Sequence, residues 1–336
     1  MKHPWKKLLA LSLVLCLVLA GCGKKDPDPV PSGSAPDGET TPVKLAVLSG
    51  PTGVGAAKLL SDADAGTTLN QYDYTICTDN EQVVAGLTNG DFDIAAVATN
   101  VAANLYNKSG AIQMLAVNTL GVLYILGPSD KPISALGELS GKTLYATGQG
   151  ANPQYVLDHL LTENGLDPET DVNIVWGTPD EVNVAMLQGQ ADYCMLPVPA
   201  ATALEAKSQG AISSYISLSD EWDYLRSGSL TMGCVVVRTQ FAQEHPEAVE
   251  NFLDEYAQSI AYVRDNPAEA APLVAGYGIA PSEAIAAKAI PQCSLVCYTG
   301  SEMQSAVQPY YQVLYKANPA AIGGALPDDG FYYQGS

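Results

Sequence analysis

The sequence predicts an α/β protein in which two pseudo-symmetric lobes, joined by two crossover strands, enclose a ligand cleft. Three observations carry this expectation. Strand–turn–helix units recur in the same order at an offset of about 100 residues. A long apolar strand candidate follows each copy of the repeat. Finally, 336 residues with 47% hydrophobic content supply apolar material for two cores.

Taken from the N-terminus, Met1 to Lys7 carries Lys2, Lys6 and Lys7, and Leu8 to Ala20 is apolar except for Ser12. That is the basic region and short apolar region of a secretory signal, too short for the roughly 20 residues of a membrane-spanning helix. Leu19-Ala20-Gly21-Cys22 resembles the lipobox of bacterial lipoproteins, which implies a signal peptide over 1–21 and Cys22 as the lipid-bearing mature N-terminus. Several acyl chains on one residue make a stable anchor on the extracytoplasmic face of the cell membrane. Residues 22–42 then form a lipidated tether: five prolines among Asp, Ser, Gly and Lys leave no apolar periodicity, and such a chain reaches roughly 25 Å.

The body starts at Val43. An apolar strand (Val43 to Leu48), a turn (Gly50 to Gly53) and a helix through Ala56 to Leu60 recur as a strand (Thr143 to Ala146), a turn (Gly148 to Asn152) and a helix (Pro153 to Leu161), with Gly50 and Gly148 98 residues apart. Thr75 to Thr78 leading into Glu81, Val84, Ala85 and Leu87 recurs at 100 as Val175 to Thr178 leading into Glu181, Val184, Ala185 and Leu187. Gly90, Asp93, Ala102 and Leu105 recur at 99 as Gly189, Asp192, Ala201 and Leu204. We expect two copies of one (βα)₃ layer, each a parallel sheet with right-handed crossovers. Asn118 to Leu126 and Ser229 to Val237 are placed to carry the chain across and back, giving lobe 1 as 43–123 plus 232–333 and lobe 2 as 124–231. Phe241 onward is helical, with Val249, Phe252, Leu253, Tyr256 and Ile260 at helical spacing, and Asn266-Pro267 ends that helix.

Parallel α/β sheets bind ligands at the carboxyl ends of their strands. The strand-end loops give the candidate ligand-binding residues: Pro51, Thr52, Gly53, Thr99 and Asn100 from one copy, and Gln149, Gly150, Ala151, Asn152, Thr178 and Pro199 from the other. Asn118, in the first crossover, joins them.

Val43 to Tyr333 resembles the extracytoplasmic solute-binding proteins of ABC importers, and within them the group that binds nitrate, taurine, alkanesulfonates and the pyrimidine precursor of thiamine. The resemblance rests on Gly141-Lys142-Thr143 with the Gly148 to Asn152 turn, on Pro179 to Pro199, and on Phe241 to Pro267. It implies a two-lobed type II periplasmic-binding-protein fold that closes on a small-molecule ligand, a membrane permease as partner, and no catalytic activity. We expect a monomer without cofactor or metal. Small hydroxyl residues often follow the glycines of the group's second-lobe turn, whereas this chain has Gln149-Gly150-Ala151-Asn152, which argues against a sulfonate or nitrate.

Charge excludes one partner and narrows another. With 36 acidic against 16 basic residues the formal charge is −20, and cleavage before Cys22 removes three lysines to leave −23, so nucleic acid is not a partner. The six strand-end loops hold no Lys or Arg, while Asp79, Glu81, Asp180 and Glu181 are expected mainly as helix caps. This favours a neutral, zwitterionic or aromatic solute, with Trp176, Tyr145, Tyr124 and Trp222 as candidate stacking platforms.

Enzyme signatures fail. Ala56-Ala57 stands where a phosphate-binding loop needs Lys and Ser or Thr, and no Gly-x-Ser-x-Gly elbow exists. His159 and His245 are expected at surface or capping positions. Cys77, Cys194 and Cys234 fall in strand candidates as small hydrophobes, and Cys293 and Cys297 either pair or pack. Two other functions stay open: an enzyme on this fold of the thiamine-pyrimidine-synthase type, and a ligand-sensing lipoprotein.

Overall fold

The computed structural model describes residues 40–225 and 228–335. The signal peptide, Cys22 and the tether through residue 39 lie outside the described residues.

The first repeat unit folds as β1 (Pro42–Leu48), α1 (Pro51–Val54), α2 (Ala57–Asp64), β2 (Gln71–Cys77), α3 (Asn80–Asn89), β3 (Ile94–Ala98), α4 (Thr99–Ser109) and β4 (Ile112–Thr119). The second begins with its crossover strand and runs β5 (Leu123–Pro128), β6 (Thr143–Ala146), α5 (Asn152–Glu163), β7 (Asn173–Trp176), α6 (Pro179–Leu187), β8 (Tyr193–Pro197), α7 (Ala200–Ser208), β9 (Ile212–Ser217) and α8 (Leu218–Tyr224). The return leg contains β10 (Gly233–Arg238), α9 (Thr239–Glu244), α10 (Pro246–Asp265), α11 (Pro267–Gly276), α12 (Glu283–Ala289), β11 (Leu295–Tyr298) and α13 (Gly300–Ala317).

Two mixed sheets result, in the orders β11-β4-β10-β3-β1-β2 and β7-β6-β8-β5-β9. The expectation of parallel sheets holds for β1, β2 and β3 and for β6, β7 and β8. It fails at the crossover strands, because β10 and β5 each enter a sheet antiparallel to both neighbours. A strand arriving from the other lobe comes in from the opposite end, so no crossover helix is needed to turn it round. Aligned this way, β2-β1-β3-β10-β4 and β7-β6-β8-β5-β9 are the same five-strand pattern. The predicted strand over Asn118 to Leu126 is split: Asn118 and Thr119 end β4 in the first sheet, and Leu123 starts β5 in the second.

The central strands are buried on both faces, and their side chains alternate between two cores. Leu45, Val47, Ile94, Ala96 and Val235 join Leu59, Leu60, Phe252, Tyr256 and Ile260 of α2 and α10. Ala46, Ala95, Val97, Cys234 and Val236 join Met114, Met303, Tyr310, Tyr311 and Phe331 on the opposite face. Local chemistry fixes several helix starts. The Asp79 side chain accepts from Gln82 N at 2.8 Å to cap α3, and Thr178 and Glu181 form a reciprocal capping box on α6. Among the described residues, no helix is long and apolar enough to cross a membrane.

Candidate functional site

The loops at the carboxyl ends of the strands meet across the two lobes in two different ways. At one place they leave a cavity of about 370 Å³, walled by Ser49, Gly50 and Pro51 after β1 and Thr78 after β2. The facing wall is Pro179, Asp180 and Asn183 of α6, Pro197 to Ala200 after β8, and Ala203 and Lys207 of α7; Gly278 to Pro281, between α11 and α12, close one side. This is the position that strand polarity predicts for a ligand. Hollows of about 580 and 490 Å³ also exist, but both are walled by the second lobe alone, along its edge strand β7. The smaller cavity is the candidate site because both lobes build it.

Five prolines (Pro51, Pro179, Pro197, Pro199 and Pro281) make much of its wall. Their rings hold the backbone rigid and offer no N–H. Polar recognition therefore falls to a few groups: Asp180, Asn183 and Lys207, with the hydroxyls of Ser49 and Thr78. Asn183 is 5% exposed and its Oδ1 is buried without a hydrogen-bond partner among the described residues.

At the second place the loops close directly on each other. Asn152, the first residue of α5 and 1% exposed, inserts its side chain between α4, α13 and the return crossover. Its Nδ2 donates to Thr99 Oγ1 at 2.9 Å and to Met232 O at 2.6 Å. Its Oδ1 accepts from Asn100 N at 3.3 Å and from the Tyr310 hydroxyl at 2.8 Å. Burial holds the Tyr310 phenol well above its usual pKa, so it stays a donor. Behind this clasp His159 of α5, Trp222 of α8 and Tyr310 of α13 pack in succession, with ring centroids 5.1 and 5.5 Å apart.

The sequence-derived residues divide between these places. Pro51 and Pro199 line the cavity. Thr99, Asn100 and Asn152 form the clasp. Thr52, Gly53 and Asn118 are buried at the base of the first lobe, where Asn118 Nδ2 donates to Thr52 O at 3.0 Å and to the Tyr256 hydroxyl at 2.8 Å. Gly53 is a packing glycine: the expected turn is the helical turn α1, and a Cβ there would sit 2.1 Å from the Leu48 carbonyl oxygen. Gln149 and Gly150 are exposed and Ala151 is half-buried; Gly150 N donates to Gln154 Oε1. Thr178 is exposed and engaged in its capping box.

Three expectations change. The strand-end loops do lack cations, but Lys207, two turns into α7, brings one to the cavity. None of the four proposed aromatic platforms lines it: Trp222 is fully buried in the core, Trp176 and Tyr145 line a hollow at β7, and Tyr124 packs partly buried on the core. His159 is half-buried against Trp222, not a surface residue, and burial lowers its pKa.

Cys77, Cys194, Cys234, Cys293 and Cys297 are all free. Burial pushes the Cys293 thiol up to about 12 and the Cys297 thiol to about 11, which keeps both protonated and unreactive. Among the described residues, no three His, Cys, Asp or Glu side chains converge as metal ligands would.

Solved structures share this fold at low sequence identity. An ABC transporter protein from Parabacteroides distasonis is 22% identical, with a TM-score of 0.73, covering 88% of this chain and 99% of that one. The periplasmic aliphatic sulphonate binding protein SsuA of Escherichia coli is 16% identical, with a TM-score of 0.70, covering 88% of this chain and 92% of that one. A Candida albicans protein with the generic periplasmic binding protein fold is 14% identical, with a TM-score of 0.58, covering 86% and 92%. No curated protein matches the chain. The "NMT1/THI5 like" family model matches residues 78–270, more than half of the sequence, including the cavity wall formed by α6 and α7. The chain belongs to the NMT1/THI5-like family.

Proposed function

We propose that the protein is the solute-binding component of an ABC importer, tethered through Cys22 on the extracytoplasmic face of the membrane, which captures a small polar organic solute between its lobes and hands it to a permease. The observation that carries this reading is the two-walled cavity at the strand ends. Its volume lies at the small end of the roughly 300–1,000 Å³ usual for ligand pockets. Binding is then closure: the closed state gains free energy only from contacts made to both walls at once. The working body is 43–123 plus 232–333 as one lobe and 124–231 as the other, acting as a monomer.

The wall chemistry supports a neutral or zwitterionic solute. Asp180 and Lys207 offer one charge of each sign and Asn183 a neutral amide. A bare anion would meet the Asp180 carboxylate as well as the Lys207 ammonium. The second reading, a sulfonate or similar anion, is favoured by Lys207, by the α7 N-terminus, which carries no side-chain cap, and by the sulphonate-binding neighbour.

Mass spectrometry of the protein purified natively from its source tests the function. We expect one small solute to co-purify and, added back at a hundred times its Kd, to stabilise the fold by about 2.7 kcal/mol. A protein that carries no solute and does not respond to millimolar zwitterions, aminopyrimidines, sulfonates or nitrate would sink the reading.

A further inference from the structure

We propose that Asn183 sets the solute specificity of the cleft, its carboxamide reading a neutral edge on the solute that presents a hydrogen-bond donor beside an acceptor, as in a primary amide, a lactam or an aminopyrimidine. The inference rests on the solute-binding function proposed above and deepens it.

Asn183 lies one turn into α6, on the face it shares with Pro179 and Asp180, and lines the cavity. Only 5% of the residue is exposed, and its Oδ1 is buried with no partner. Among the described residues, nothing hydrogen-bonds its amide nitrogen either. Buried amides in folded proteins are almost always paired, and an unpaired one destabilises the fold. Elsewhere on the same interface Asn152 makes four bonds, and Asn100 and Asn118 also have an unpaired Oδ1, but of these four asparagines Asn183 alone lines the cavity. An uncommitted carboxamide facing a cavity is what a solute would complete.

The bonding capacity of the group limits what can complete it. A carboxamide offers one acceptor oxygen and two N–H donors. A sulfonate or carboxylate brings acceptors only and leaves Oδ1 unpaired. An ammonium brings donors only and leaves the amide nitrogen unpaired. An amide-like edge pairs with both at once, in either orientation of the carboxamide. Of the other polar wall groups, Asp180 only accepts and Lys207 only donates, and the Ser49 and Thr78 hydroxyls stand on the opposite wall; the prolines lack N–H, and Val198, Ala200 and Ala203 have apolar side chains.

Thermal denaturation of the purified protein with nicotinamide, cytosine, taurine and nitrate, each at millimolar concentration, tests the proposal alongside the variants Asn183→Leu and Asn183→Ala. Nicotinamide or cytosine is expected to raise the wild-type midpoint. Both variants should need at least about tenfold more of that probe for the same shift. Their solute-free midpoints should match or exceed the wild-type value, because an unpaired buried polar group has been removed. The proposal is overturned if neither amide-edge probe shifts the wild type, if the variants respond as the wild type does, or if both variants melt several degrees lower without solute, which would mark Asn183 as structural. A response to taurine or nitrate alone overturns the specificity while leaving solute binding intact. No response to any probe, with no co-purifying solute, removes both.

Discussion

The clasp at Asn152 and the cavity at Pro199 occupy equivalent places in the two halves of a quasi-symmetric interface. The repeat offsets of 98 and 99 residues put Val54 where Asn152 stands and Pro199 where Asn100 stands. In the clasp, the loop after β3 meets the loop after β6, and Asn100 N donates to Asn152 Oδ1. In the cavity, the loop after β1 faces the loop after β8, with the same strand polarity. The donor position there is Pro199, without an N–H, and the acceptor position is Val54, whose side chain has no oxygen and is buried in the core behind the cavity wall. The polar pair that draws one set of loops together is missing from the other, and space remains. The repeat gives two equivalent contacts; a few side chains fasten one and leave the other open as a cavity.

On the proposed function the clasp side carries stability and the cavity side binding, and the clasp can be broken at two strengths. Trp222→Ala should have the largest effect. The indole is fully buried between His159 and Tyr310, and its Nε1–H donates to Gly228 O at 3.0 Å. Loss of a core aromatic of this size costs about 3–5 kcal/mol, through lost transfer energy and an unfilled cavity. Chemical denaturation is expected to show the midpoint falling with the slope unchanged. A cost below about 1 kcal/mol would show that the packing of α5, α8 and α13 is not what fastens the lobes.

Asn152→Ala removes less surface but strands more partners. The Tyr310 hydroxyl, Asn100 N, Thr99 Oγ1 and Met232 O each lose a bond in a place closed to solvent. Thr99 Oγ1 keeps its bond to Thr231 O, and Met232 O still accepts from Thr99 N, so the loss is partial. With an unsatisfied buried group costing about 1–3 kcal/mol, the expected destabilisation is about 2–4 kcal/mol by denaturation. The same substitution at Asn183 is expected to cost nothing. If the two asparagines responded alike, the division into fastening and site would fail.

The division also explains what the sequence could and could not reveal. Strand-end glycines and the 98-to-100-residue offset are local features, and they predicted both sheets and the six facing loops. The antiparallel entry of β5 and β10 depends on which lobe the chain comes from, which no local pattern encodes. Asn183 and Lys207 lie on helices beyond the loops. A helical reading would have reached them: Asp180 and Asn183 are three apart, and Ala200, Ala203 and Lys207 follow i, i+3, i+7. Asn152 was legible as a cleft residue but not as a spent one, because its partners Tyr310 and Met232 are 158 and 80 residues away. The meeting of His159, Trp222 and Tyr310 is of the same kind, and it is why His159 read as a surface residue.

The smallest effect is expected at His159, whose titration reports on the packing behind the clasp. Burial against Trp222 lowers the His159 pKa below its usual 6.5; Glu163 opposes the shift and Lys316 adds to it. The folded protein therefore holds the imidazole neutral at a pH where the unfolded chain has already taken up a proton. Where the unfolded state binds more protons, stability rises with pH. His159 thus adds nothing to the pH dependence well above 6.5, and destabilises the fold progressively as the pH falls through 6.5 towards the lowered value. Half-buried Asp158, one residue away, has its pKa raised by burial from 3.8, so its contribution has the opposite sign and belongs to a more acid window. Denaturation midpoints measured from pH 7.5 to 5.5 should fall for the wild type and fall less for His159→Phe, which keeps an aromatic ring against Trp222 but cannot take up a proton. Equal slopes for the two proteins would place the imidazole in contact with water and the stack open at its α5 end.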